Sequence, residues 1–150
     1  DVPWTRTADG DVAQLLASPG GCLVGGTAWT MTGKEVPAGS LDLLVIDEAG
    51  QFSLANTLAV ARAAKRLLLL GDPQQLPQVS AGTHPEPVDS SALGWLVDGA
   101  HTLPAERGYF LDVSYRMHPQ VCAAVSRLSY DGRLQSFDAV EQSAFALTLL

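Results

Sequence analysis

Leu41-Asp42-Leu43-Leu44-Val45-Ile46-Asp47-Glu48-Ala49-Gly50 is the stretch that decides the fold. A near-continuous apolar run from Leu43 to Ile46 reads as a parallel β-strand buried on both faces. It runs directly into two carboxylates. Asp47 and Glu48 make poor packing residues, since burying an unpaired charge is costly. They make sense where a strand's carboxyl end opens into a crevice, which is where open α/β sheets bind ligands. A Mg²⁺-nucleotide site is the first expectation. An acid pair favoured by the dipole of a following helix is the plainer alternative.

The same design recurs downstream. Leu67 to Leu70 form a second leucine run, followed by Gly71-Asp72-Pro73-Gln74-Gln75-Leu76-Pro77. Between the two lies an alanine-rich segment, Leu54 to Arg66, expected to be a helix capped by Ser53, with Leu54, Leu58, Ala61 and Lys65 on one face. The two acids Asp47 and Asp72 stand about 25 residues apart, ample for a βαβ crossover. Parallel strands bring both acid-bearing ends to one sheet edge, so Asp47, Glu48, Asp72 and Gln75 are expected to converge.

The flanking sequence is less regular. A short helix, VAQLL, is expected near the N-terminus, with Asp9 or Asp11 as its cap. Cys22 to Val24 read as a short strand, followed by a Gly/Thr-rich turn, GGTAWTMTG. A polar loop occupies Ser80 to Asp89, a helix Ser90 to Val97, and a strand the segment YFLDVSYR. Pro119 suits the first turn of a helix with Val121, Val125 and Leu128 on one face. Phe137 to Leu150 carry no assignment.

Composition bounds the reading. Of 150 residues, 47% are hydrophobic and 17% charged, the profile of a globular domain. A formal charge of −7 counts against a surface that grips nucleic acid all over, while leaving room for a local contact. Cys22 and Cys122 lack metal-ligand spacing and are expected to be reduced core thiols, which favours a cytoplasmic setting. No apolar run reaches the roughly 18 residues that a membrane span needs. The N-terminus lacks the basic-then-apolar pattern of a signal peptide.

A third motif, Ser114-Tyr115-Arg116-Met117-His118-Pro119, follows the YFLDV segment. An arginine there can fork onto phosphate oxygens and a tyrosine ring can stack on a base. A surface ion pair for Arg116 and a capping or packing role for His118 are the plainer readings. Taken in order, DEAGQ, GDPQQLP and SYRMHP resemble motifs II, III and IV of superfamily 1 helicases, in the AAA-type DNA/RNA helicase branch. The run HPEPVDSSALGWL with SYRMHP looks most like bacterial proteins joining such a helicase to a RecB-like nuclease.

The resemblance implies RecA-like parallel sheets with flanking helices, and ATP held between two RecA-like domains. It further implies that Asp47 holds Mg²⁺, mostly through water, while Glu48 activates the hydrolytic water. Gln75 would sense the γ-phosphate, with Asp72 beside the nucleotide. Arg116 would act as an arginine finger and Tyr115 would lie against the adenine. The segment GTAWTMT is similar to the family's Thr-containing contact to the nucleic-acid backbone. Thr27, Trp29 and Thr30 are thus candidates for binding single-stranded nucleic acid, DNA ahead of RNA; a turn with Trp29 in the core is the alternative.

No G-x-x-x-x-G-K-[ST] phosphate loop occurs in the sequence. The chain is therefore expected to be an internal segment. Residues 1–104 would be the later part of a first motor domain, and residues 105–150 the start of a second. The remainder of the same chain would supply the phosphate loop. A degenerate RecA-like module that binds a partner without hydrolysis is the competing reading.

Overall fold

The computed structural model describes residues 12–76, 82 and 84–137. The chain divides into two compact units, Asp1–Leu93 and Gly94–Leu150. In chain order the elements are α1 (Val12–Leu16), α2 (Ala28–Thr32), β1 (Leu44–Ile46), α3 (Leu54–Ala61) and β2 (Leu67–Leu69). After these come α4 (Ala92–Val97), β3 (Val113–Ser114), α5 (Pro119–Ser129) and β4 (Gln135–Ser136).

The first unit is built on β1–α3–β2. The two strands are parallel, with Leu44 opposite Leu67, Val45 opposite Leu68 and Ile46 opposite Leu69. Further backbone bonds carry the pairing beyond both ends: Leu44 N–H donates to the Arg66 carbonyl at 3.0 Å, and Leu70 N–H to that of Ile46 at 2.9 Å. An isolated parallel bridge, Leu41 with Ala64, precedes them. The expected α/β class with a parallel sheet is thus what the chain adopts.

Helix α3 begins where Ser53 Oγ accepts from the Asn56 N–H at 3.2 Å, the expected cap. Its buried face differs from the expected one. Thr57 and Val60 are buried while Leu58 is 66% exposed. Val60, Leu44 and Ile46 belong to one cluster with Met31, Ala49 and Leu93, so the helix turns Val60 toward the inward side of β1. Val12, Val36 and Ala63 form a smaller neighbouring cluster. Each buried Leu or Ile contributes about 1.5–3 kcal/mol.

Burial of the strands on both faces does not hold. Leu44 and Ile46 point inward, but Val45 is 46% exposed and Leu67 and Leu68 are 41% and 44% exposed. Alternation gives β1 an inner and an outer face, whereas in β2 the consecutive Leu67 and Leu68 are both exposed. The segment just before β1 is tied to the connection between α3 and β2 by Lys65, whose ammonium lies 2.8 Å from the Asp42 carboxylate. That ammonium, through its hydrogen bond and its charge, holds the Asp42 carboxyl below the usual carboxylate range.

Several local expectations need correction. Cys22–Val24 is not a strand; Leu23 is 98% exposed and has no sheet neighbour to satisfy its backbone. Cys22 is exposed rather than in the core, whereas Cys122 is buried; neither forms a disulfide. The Gly/Thr segment closes into α2 because Thr27 caps it, accepting from the Thr30 N–H at 3.4 Å. The caps expected for α1, Asp9 or Asp11, lie outside the described residues, as do parts of the Ser80–Asp89 loop.

The second unit also contains a parallel pair joined through a helix. Val113 lies opposite Gln135 and Ser114 opposite Ser136. Strand β3 is far shorter than YFLDVSYR, because its partner β4 offers only two residues to pair with. Helix α5 starts at Pro119 as expected, and His118 is its N-cap, its ring nitrogen accepting from the Gln120 N–H at 3.4 Å. The buried face is Cys122 and Ser126 rather than Val121 and Leu128, which are 54% and 79% exposed. Arg133 secures the turn after α5: its guanidinium donates to Thr102 Oγ1 at 2.8 Å and lies 4.8 Å over the Phe110 ring.

One close approach decides how β1 and β2 exit the sheet. A Cβ built on Gly50 would lie 2.1 Å from the Asp72 carbonyl oxygen. Gly50→Ala is therefore expected to cost about 1–3 kcal/mol or more, as overpacking against backbone does. Chemical denaturation checks this; an unchanged midpoint would mean that the two turns separate at little cost.

Candidate functional site

The site is assembled by the two turns that leave the carboxyl ends of β1 and β2. After Ile46 the chain turns through Asp47-Glu48-Ala49-Gly50, with the Gln51 N–H donating to the Glu48 carbonyl at 2.8 Å. Ala49 faces the core and is fully buried. Its N–H donates to the Leu70 carbonyl at 2.8 Å, which pins this turn to the end of β2. The burial of Ala49 leaves the preceding acids on the open side, and both Asp47 and Glu48 are exposed.

Glu48 has a φ of 53°, in the left-handed region that a non-glycine residue enters at a cost. Asp47 Oδ1 accepts from the Glu48 N–H at 3.0 Å, which turns one oxygen of Asp47 back onto the loop. On the second turn, Asp72 Oδ1 accepts from the Gln74 N–H at 2.9 Å, and the Gln75 N–H donates to the Asp72 carbonyl at 3.3 Å. Asp72 thus shapes the GDPQQ turn with both side chain and backbone.

The turns meet through side chains as well as through Gly50. Gln51 Nε2 donates to Gln75 Oε1 at 3.1 Å. Gly71, with a φ of 153°, passes so near the first turn that a Cβ there would lie 2.8 Å from the Ala49 nitrogen. Asp47, Glu48, Asp72 and Gln75 therefore do share one end of the sheet. Gln51, Gly50 and Gly71 were not singled out from sequence; Gln51 was legible as the last residue of DEAGQ, and the glycines only as turn formers.

The donor set can be tested against Mg²⁺. Among the described residues no group of three or more His, Cys, Asp or Glu side chains could enclose a metal ion. Mg²⁺ does not require such a cage: it binds through one or two carboxylates while keeping waters and phosphate oxygens in its other positions. An exposed Asp47 on a fixed turn fits that mode, and Glu48 beside it fits a proton acceptor. The sequence carries no G-x-x-x-x-G-K-[ST] loop to cradle the phosphates themselves.

The remaining candidates lie elsewhere. Thr27 caps α2 and its hydroxyl is 3.4 Å from that of Thr30, while Trp29 on the same turn is 86% exposed and not in the core. In the second unit, Ser114 Oγ accepts from the Arg116 and Met117 N–H groups at 3.4 and 3.3 Å, folding SYRM into a tight turn. Arg116 is exposed on that turn. Tyr115 is 68% exposed, its ring 4.8 Å from that of Phe137.

A parallel βαβ unit with acids and amides gathered at its carboxyl end fits a partial RecA-like α/β fold. A family profile described as an AAA domain matches residues 7–97. The chain is 33% identical over 98 residues to Helicase SEN1 of Saccharomyces cerevisiae, covering 63% of this chain and 4% of that protein. It is 33% identical over 108 residues to Probable helicase MAGATAMA 3 of Arabidopsis thaliana, 67% of this chain and 12% of that one. With DNA replication ATP-dependent helicase/nuclease DNA2 of Bos taurus it shares 29% over 98 residues, 64% of this chain and 9% of the relative.

The chain belongs to the AAA domain family and, within it, to the superfamily 1 helicases. It spans only a small part of the length of these relatives. No solved structure matches it significantly. No helix among the described residues is long and apolar enough to cross a membrane.

The backbone at Glu48 yields a stability test. Glu48→Gly is expected to unfold at the same midpoint as the parent or later, by up to about 1 kcal/mol, because glycine adopts this φ freely. Loss of stability on that change, in a denaturant titration, would mean that the carboxylate itself holds the turn.

Proposed function

We propose that the chain is the Walker B-bearing segment of an ATP-driven translocase on single-stranded DNA. The observation that carries this reading is the joining of the DEAGQ and GDPQQ turns at one end of a parallel strand pair, with Gln51 bonded to Gln75 at 3.1 Å. Residues 1–104 would be the later part of a first RecA-like domain and residues 105–150 the opening of a second, with the phosphate loop supplied by another part of the same protein. The names of two relatives, 5'-3' DNA helicase ZGRF1 of Mus musculus and the DNA2 helicase/nuclease, favour DNA and leave room for an attached nuclease.

Bound MgATP would supply the phosphoanhydride bond whose hydrolysis drives movement. Asp47 would hold Mg²⁺, mostly through its waters. Glu48, exposed beside it, would accept the proton of the attacking water. Gln75 would hydrogen-bond to the γ-phosphate, with Asp72 fixing the turn that presents it. Arg116 would fork onto phosphate oxygens and Tyr115 would stack on the adenine. Exposed Trp29, with Thr27 and Thr30, would meet the DNA strand by stacking and hydroxyl contacts.

Two measurements test this. In the full-length protein Glu48→Gln should keep ATP binding and abolish turnover; undiminished hydrolysis would remove Glu48 from its role. Purified residues 1–150 alone should hydrolyse ATP negligibly with or without single-stranded DNA. Turnover of the isolated segment at about 1 per second or more, an ordinary enzyme rate, would refute the claim that it needs a phosphate loop from elsewhere in the protein.

A further inference from the structure

In the second unit, both strands of the parallel pair run into an aromatic residue. Ser114 lies opposite Ser136, and the residues that follow them are Tyr115 and Phe137. The pairing reaches one step further, since the Phe137 N–H donates to the Ser114 carbonyl at 2.9 Å. The Ser136 hydroxyl donates to the Met117 carbonyl at 2.8 Å, tying the turn that carries Tyr115 and Arg116 to the end of β4. Backbone and side chain together thus hold the two aromatic residues side by side.

Their ring centroids are 4.8 Å apart and their planes are tilted by 37°. At that separation Phe137 packs against one side of the Tyr115 ring. The other side stays open, and Tyr115 is 68% exposed. The carboxyl ends of parallel strands are where open α/β sheets take their ligands. An open aromatic face at such an end suits a flat partner such as a nucleobase.

We propose that Phe137 is a positioning residue for the base of the bound nucleotide: it backs the Tyr115 ring and fixes the plane on which the base stacks. The inference rests on the reading of Tyr115 as the adenine contact and adds a residue outside the SYRMHP motif. A tyrosine standing unsupported on a turn loses side-chain freedom when a base stacks on it, which weakens binding. A ring already held against Phe137 has given up that freedom beforehand. The Phe137 side chain has no polar atom, so it acts through ring packing and offers nothing to a phosphate.

The test is calorimetric titration of the full-length protein. Phe137→Leu keeps an apolar side chain and removes the ring. It should weaken MgATP binding about three- to tenfold, the worth of an aromatic pair. Binding of tripolyphosphate with Mg²⁺, which has no base, should be unchanged, as should binding of single-stranded DNA. Phe137→Tyr, which restores a ring, should restore ATP affinity. In a Tyr115→Leu background, Phe137→Leu should add no further loss.

Parental ATP affinity in Phe137→Leu, or an equal loss for tripolyphosphate, would overturn the proposal. So would a loss confined to DNA, a Phe137→Tyr variant as weak as Phe137→Leu, or additive losses in the double variant. If Tyr115→Leu itself binds ATP as the parent does, the underlying assignment of Tyr115 fails instead. The two failures are therefore distinguishable.

Discussion

Everything at the candidate site depends on the in-register parallel pairing of Leu44–Ile46 with Leu67–Leu69. A parallel pair has both carboxyl ends at one edge, so two turns far apart in sequence must leave the sheet side by side. Here they leave within backbone contact, which only glycine at positions 50 and 71 permits. Ala49, buried under the crossing, then fixes which residues of DEAGQ face the core and which face outward. The acids are exposed because the alanine is not.

The same geometry leaves short-range hydrogen bonds to shape the two turns. Asp47 and Asp72 each spend one carboxylate oxygen on the N–H of a nearby residue in their own turn. Those bonds set the turns. A cation or a phosphate-bound cation is the natural counterpart of such an edge. The strained φ at Glu48 fits the same account: a residue held in a costly backbone conformation at a strand end is a feature common at functional sites.

How much could be read from the amino acids varies with the physics involved. The βαβ unit was legible because two leucine runs, each ending in an acid, bracket a capped alanine-rich helix. Ser53 and Pro119 were legible as helix starts because capping chemistry is local. The buried faces of α3 and α5 were not, since Leu58, Val121 and Leu128 look like core residues and only the packing partner decides otherwise. The brief strand at Val113–Ser114 was overestimated for a like reason: a strand is as long as its neighbour allows. Cys22 was misjudged because cysteine is usually buried, although Pro19-Gly20-Gly21 before it and Gly25-Gly26 after it mark a loop. The link from Gln51 to Gln75 required the register, which sequence does not state.

The central claim is that the acid at the end of β1 serves a Mg²⁺-bound nucleotide. The most direct measurement is calorimetric titration of ATP into full-length protein and into its Asp47→Asn variant, each with and without Mg²⁺. The account predicts that Mg²⁺ strengthens binding to the parent protein and has little effect on the variant. Equal strengthening in both would contradict it.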